Sequence, residues 1–148
     1  MERISRIDLA MEVARLYSRR ATCMRGQVGA ILLRDKRIIA SGYNGPPEGA
    51  KHCADNHCDL SKPCTHAVHA EANLIAFCAK YGIATMDSTL FVTASPCIKC
   101  AELIVQSGIS QVVYDSNYRD DSGSNLIMSS GILLYKYSPT LKINWDAE

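Results

Sequence analysis

His69, Glu71, Cys97 and Cys100 are the residues of this chain best equipped for chemistry. A neutral histidine nitrogen and two thiolates are three zinc donors. Three protein donors leave the fourth tetrahedral position open to water, the arrangement of a catalytic site rather than a closed structural one. Glu71 is then free to carry the proton. On a helix, residues i and i+2 point about 200° apart, so His69 and Glu71 do not share a face. That separation gives His69 to the metal and Glu71 to the metal's water. His66, three residues before His69, is an alternative second histidine ligand. Cys97 and Cys100 follow Pro96 in what reads as the first turn of a helix, where free backbone N–H groups and the positive helix end favour thiolates. A Cys-x-x-Cys pair alone also fits a redox site. With His-x-Glu about 25 residues upstream and a strand between them, it reads as a metal site.

The elements that must position these residues are legible in the periodicity. Ser5 to about Arg20 is an amphipathic helix with Ser5 as its N-cap, and Arg15, Arg19 and Arg20 read as a solvated C-terminal end. Gln27–Leu33 and Arg37–Tyr43 form a hairpin across Arg34-Asp35-Lys36. Gly42 to Gly49 is a Gly/Pro-rich loop in which Asn44 is the polar hand for a substrate hydroxyl, or else only a turn former. Lys51 to Thr65 has no period. Ala67–Lys80 is a helix ended by Gly82, with Cys78 a small core residue. Thr89–Thr93 is a buried strand, and a helix opened by Pro96 runs to Gly108. Gln111–Tyr114 and Ile132–Tyr135 are strands joined through a helix over Asp121–Ser130, so they run parallel. The order β-β-α-β-α-β-α-β makes one mixed sheet with helices on both faces. Lys136 to Glu148 has no clear period, and its Trp145 reads as an anchor for the tail or for an oligomer contact.

Composition narrows the partners. With 148 residues the chain is sized for one domain. Sixteen Lys and Arg against fifteen Asp and Glu give a formal charge of +1, which excludes the footprint of a long nucleic acid. A small anion needs only two or three local cations. No apolar run reaches the ~18 residues of a membrane span, and Met1 to Ser5 lacks the apolar core of a signal peptide. The expected location is the cytoplasm, where seven cysteines point to metal ligands or buried thiols rather than disulfides. His52, Cys53, His57, Cys58 and Cys64, with Cys23 upstream, could be tied down by a second, structural zinc.

The chain resembles the deoxycytidylate (dCMP) deaminases, a family within the cytidine deaminase-like superfamily. The resemblance runs through Cys23-Met24-Arg25, Val28-Gly29-Ala30, Gly42-Tyr43-Asn44-Gly45, His52-Cys53, Cys64, His69-Ala70-Glu71-Ala72-Asn73, Ser95-Pro96-Cys97-Ile98-Lys99-Cys100-Ala101 and Tyr118. His-x-Glu with Pro-Cys-x-x-Cys is the zinc deaminase signature shared across the superfamily. The Gly-Tyr-Asn-Gly loop and His-Ala-Glu-x-Asn narrow the likeness to dCMP. The resemblance implies a three-layer α/β/α fold with a five-stranded mixed sheet, one catalytic domain over residues 1–148, and hydrolytic deamination of dCMP to dUMP. It implies zinc on His69, Cys97 and Cys100, with Glu71 as the catalytic acid–base. Asn44 and Asn73 are expected at the deoxyribose, Tyr118 against the nucleotide, Arg25 near the phosphate, and Ala70 and Ser95 among the substrate contacts. It further implies a homohexamer activated by dCTP with Mg2+ and inhibited by dTTP. A cysteine-rich branch of the family has cysteines where Cys23, Cys53, Cys58 and Cys64 stand, so these four are the expected ligands of a second zinc, with His57 as a substitute. The chain departs from that branch at His66, where an arginine is usual. Two alternatives remain: a same-fold deaminase acting on a nucleoside or on adenosine in tRNA, and a zinc-stabilised binding module. A tRNA enzyme would be more basic than +1, and a binding module has no use for Glu71.

Overall fold

Strict alternation along three strands explains how one sheet takes helices on both faces. Ala30 and Leu32 of β1 (Gly29–Arg34), Leu90 and Val92 of β3 (Thr89–Ala94), and Val112 of β4 (Gln111–Ser116) belong to one apolar cluster. Their neighbours Ile31, Leu33, Phe91 and Val113 belong to another. Successive side chains of a strand point to opposite faces, so the two clusters are the two sides of the sheet. The first cluster packs against α2 (Ala70–Tyr81), α3 (Ile98–Gln106) and α4 (Ser122–Ser129). The second packs against α1 (Arg6–Ser18) through Ile7, Ala10, Met11 and Ala14, and against the tail through Tyr137, Leu141 and Ile143. The computed structural model describes residues 1–55 and 58–143. Trp145 and His57 lie outside them.

With β2 (Arg37–Tyr43) and β5 (Leu133–Lys136), the sheet has the order β2-β1-β3-β4-β5. β1 is antiparallel to both β2 and β3, whereas β3, β4 and β5 run parallel. The five-stranded mixed sheet and the parallel fourth and fifth strands are as expected from the sequence. Because β2 and β3 each run opposite to β1, they run the same way as each other. The C-terminal ends of β2, β3 and β4 therefore meet at one edge of the sheet, where open α/β sheets hold ligands.

Several boundaries differ from the sequence reading, each for a local reason. The hairpin turn is only Asp35-Lys36, both at positive φ (50° and 62°), so β1 keeps Arg34. β4 extends to Ser116 because its end pairs with Ala94 of β3. α2 starts at Ala70, not Ala67, because Val68 exchanges backbone bonds with Gly45: Val68 N–H donates at 2.7 Å and Gly45 N–H at 3.1 Å. α3 starts at Ile98, so Pro96 lies outside it. A short 3-10 turn, Cys53–Asp55, sits in the stretch without period. Ser5 caps α1 as expected, its Oγ accepting from Asp8 N–H at 3.0 Å. Arg15 is not merely solvated: its Nε and Nη2 donate to the two carboxylate oxygens of Asp115 at 2.8 and 2.9 Å. Cys78 is a buried core residue. Among the described residues no helix is long and apolar enough to cross a membrane.

Candidate metal centre and active site

The two helix starts that face the sheet edge both lack a side-chain cap. His69 is the N-cap of α2 and Cys97 the N-cap of α3, each with extended backbone (φ −68°, ψ 156° and φ −69°, ψ 169°) and no side-chain capping bond. A cap residue stands outside the helical turn, so its side chain is free to leave the helix. His69 Nδ1 lies 3.4 Å from Cys97 Sγ and 3.6 Å from Cys100 Sγ. These separations are the fit test for a metal. Zinc bonds near 2.0–2.1 Å to nitrogen and 2.3 Å to sulfur, at a tetrahedral angle, put N and S roughly 3.6 Å apart. Among the described residues this is the only set bringing three His, Cys, Asp or Glu donor atoms within 4.8 Å of one another. His66 is not part of it. The residues present therefore fit zinc.

The i, i+2 spacing of His69 and Glu71 works differently from the sequence expectation. His69 is not on the helix at all, while Glu71 is in the first turn of α2. Glu71 is 4% exposed. Burial pushes its carboxyl above the ordinary range, opposed by its own backbone N–H and by His69. Burial likewise pushes the Cys100 thiol far up, reinforced by the charges of Glu71 and Cys97. Three potential anions and a histidine in so little water suit a cation, which would make the thiolate form of Cys100 accessible.

A cavity of about 760 Å³ opens over this set. Its wall includes Val28, Asn44, His69, Ala70, Glu71, Ala94, Ser95, Cys97, Asn117 and Tyr118. Ser95 Oγ accepts from Tyr118 N–H at 2.7 Å, which ties the end of β3 to the loop after β4. Asn44 is 8% exposed. Its Oδ1 accepts from Val28 N–H at 2.8 Å and its Nδ2 donates to Gly26 O at 2.9 Å. Asn44 is thus first a brace for the cavity wall, with one N–H and one lone pair left over. Asn73 does not line the cavity; its Nδ2 donates to Tyr43 O at 2.8 Å, one residue before Asn44.

Three cations line the cavity: Arg25, Lys62 and Arg119. Only Arg25 was expected from the sequence. Arg119 lies with its guanidinium 5.6 Å from the Tyr118 ring centroid; its signal was its place directly after Tyr118. Lys62 was hidden in the stretch without period. Cys23 and Cys64 also line the cavity, Cys53 is buried and Cys58 half-buried. Burial raises the Cys53 thiol, with smaller contributions from Cys23, Cys64 and Cys58, so the four thiols share one neighbourhood. No three of their sulfurs come within 4.8 Å of one another.

The family model of the cytidine and deoxycytidylate deaminase zinc-binding region matches residues 4–116. The chain is 44% identical over 120 residues to ComE operon protein 2 of Bacillus subtilis, covering 80% of this chain and 64% of that protein. It is 34% identical over 139 residues to the deoxycytidylate deaminase of Schizosaccharomyces pombe, covering 87% of this chain and 43% of that protein. The chain thus spans less than two thirds of the length of either relative. Its fold matches a dCMP deaminase from the cyanophage S-TIM5, crystallised with dCMP and dUMP, with a TM-score of 0.81 at 33% identity. That match covers 88% of this chain and 95% of the phage chain.

Proposed function

The chain belongs to the cytidine and deoxycytidylate deaminase family, and from that we propose that it hydrolyses dCMP to dUMP and ammonia. The observation that carries the chemistry is the donor set, one histidine nitrogen and two sulfurs at tetrahedral separations beside a buried carboxyl. His69, Cys97 and Cys100 would hold a zinc ion, which would supply a Lewis acid that brings the pKa of water towards ~7. The Glu71 carboxylate would take one proton of the attacking water and pass it to ring N3 of cytosine, then carry the remaining proton of the added hydroxyl to the departing amine as the C–N bond breaks and the uracil carbonyl forms. Burial suits Glu71 to this, since a carboxyl raised above its ordinary range is a stronger proton acceptor than a solvated one. Val28, Ala70 and Ala94 give the ring an apolar wall. Arg25, Lys62 and Arg119 match a 5′-phosphate in charge. The remaining hydrogen-bond capacity of Asn44 suits a deoxyribose hydroxyl, and Asn73 supports that residue through Tyr43. Tyr118 offers its ring, and Ser95 holds Tyr118 in place.

A substrate panel followed at the ultraviolet cytosine-to-uracil change tests this reading. The expected kcat/KM for dCMP exceeds that for deoxycytidine by roughly 10- to 100-fold, the worth of one or two charge-assisted bonds to phosphate. Equal turnover of deoxycytidine would sink the phosphate reading. Absence of turnover on every cytosine nucleotide would sink the function.

The second, structural zinc on Cys23, Cys53, Cys58 and Cys64, with His57 as a substitute, belongs to the same proposal, supported by the shared neighbourhood of the four thiols. Metal analysis of purified protein is expected to give two zinc ions per chain, falling to one in Cys53→Ser. One ion in the unmodified protein ends that idea. A homohexamer, activation by dCTP with Mg2+, inhibition by dTTP, a cytoplasmic location and a single catalytic domain over residues 1–148 complete the proposal and rest on the family resemblance.

A further inference from the structure

The guanidinium of Arg25 projects from a segment that belongs to no helix or strand. A long exposed side chain of this kind samples many rotamers in water and loses that freedom on gripping an anion. Here it is already held. Its Nη2 donates to the backbone carbonyl of Asp59 at 2.8 Å and to that of Lys62. Both hydrogens of Nη2 are thereby used, and among the described residues Nε and the whole Nη1 group are left for a ligand. The two carbonyls come from one turn, closed by Lys62 N–H donating to Asp59 O at 3.3 Å. The Asp59 side chain builds that turn. Its Oδ1 accepts from Ser61 N–H at 3.0 Å and from Ser61 Oγ at 2.6 Å, and its Oδ2 pairs with Lys62 Nζ at 3.3 Å.

We propose that Asp59 is a positioning residue for substrate phosphate: by folding the Asp59–Lys62 turn it presents two carbonyls that fix Arg25 in the cavity wall. The inference rests on the reading that Arg25 meets the phosphate. Two effects of removing Asp59 oppose each other. Arg25 loses its fixed orientation, and Lys62 is released from an ion pair. The pair is exposed and screened, so its release counts for less than the aim of a charge-assisted donor. The net effect is weaker recognition of phosphate.

Steady-state kinetics on dCMP and deoxycytidine test it, with Arg25→Ala as the reference. In Asp59→Ala, KM for dCMP rises about tenfold, kcat stays within about twofold, and kcat/KM for deoxycytidine is unchanged. Asp59→Asn keeps the Ser61 acceptor and brings KM back to within about threefold of the starting value. Ser61→Ala, which removes one bond of the turn, raises KM about threefold and serves if Asp59→Ala does not fold. If Arg25→Ala raises KM for dCMP while Asp59→Ala and Ser61→Ala leave it unchanged, the positioning role is overturned and the phosphate reading stands. If Arg25→Ala itself leaves the preference for dCMP over deoxycytidine intact, the phosphate reading falls and the positioning role falls with it.

Discussion

Glu71→Ala is expected to lower kcat by roughly 10²- to 10⁴-fold, the range of a lost general acid–base, while the protein keeps its zinc at the His69, Cys97 and Cys100 site. The two halves of this expectation come from separate observations. Glu71 is in the first turn of α2, off the donor set, so its loss leaves the nitrogen and both sulfurs in place. It is also buried, so no bulk water stands in for its carboxyl. Truncating it removes from the cavity wall a carboxyl whose charged form burial disfavours, which predicts an unchanged or higher melting temperature. Retained turnover with full metal content would remove Glu71 from the mechanism. Lost turnover together with lost metal would make it a ligand.

Gly123→Ala is expected to damage the metal centre from behind. Gly123 is in the first turn of α4, and a Cβ there would stand 2.1 Å from Pro96 O, 2.6 Å from Cys97 C and 2.8 Å from Cys97 O. All three are backbone atoms, so no side chain can rotate away. Either α4 or the Pro96-Cys97 segment must shift, and Cys97 is a member of the donor set. Overpacking of this kind costs about 1–3 kcal/mol, equivalent to a fall in Tm of roughly 3–10 °C for a chain of this size. Zinc content at the catalytic site should fall below one ion per chain when measured after dialysis against a weak chelator. A variant with unchanged Tm and full zinc would show that α4 does not press on the ligand segment. Gly42 is a similar close approach, between β2 and the first turn of α2 (2.6 Å to Ala70 O).

The layers were legible because alternation and helical periodicity are local signals. Leu90-Phe91-Val92 read as a strand buried on both faces, and each face has its own cluster. The helix starts were not legible. Apolar residues continue through Ala67 and Val68, but a bridge to Gly45, more than twenty positions away, takes those residues out of α2. That bridge is also why the same-helix argument for His69 and Glu71 divided their roles for the wrong reason: the division comes from a cap, not from opposite faces. Arg15 misled in the same way, since its partner Asp115 is a hundred positions distant. The tail looked aperiodic because Tyr137, Leu141 and Ile143 fit a surface made by other elements. Within the site, the donor letters were plain from spacing. Lys62 and Arg119 were not, since a cation's place in a cavity depends on how loops close.

The uncapped starts of α2 and α3 carry a consequence for how long this protein lasts. In most helices a serine or aspartate at the cap contributes about 0.5–2 kcal/mol. Here both cap positions offer a metal ligand instead, so an ion held there would join two helices at the edge of the sheet. A group that binds the folded chain and not the unfolded one stabilises by mass action, in proportion to the logarithm of its free concentration over Kd. On the proposed function, catalysis and heat resistance would therefore draw on the same ion. A cell short of zinc would lose not only turnover but the protein itself, as the helix ends open and the chain becomes a substrate for proteolysis.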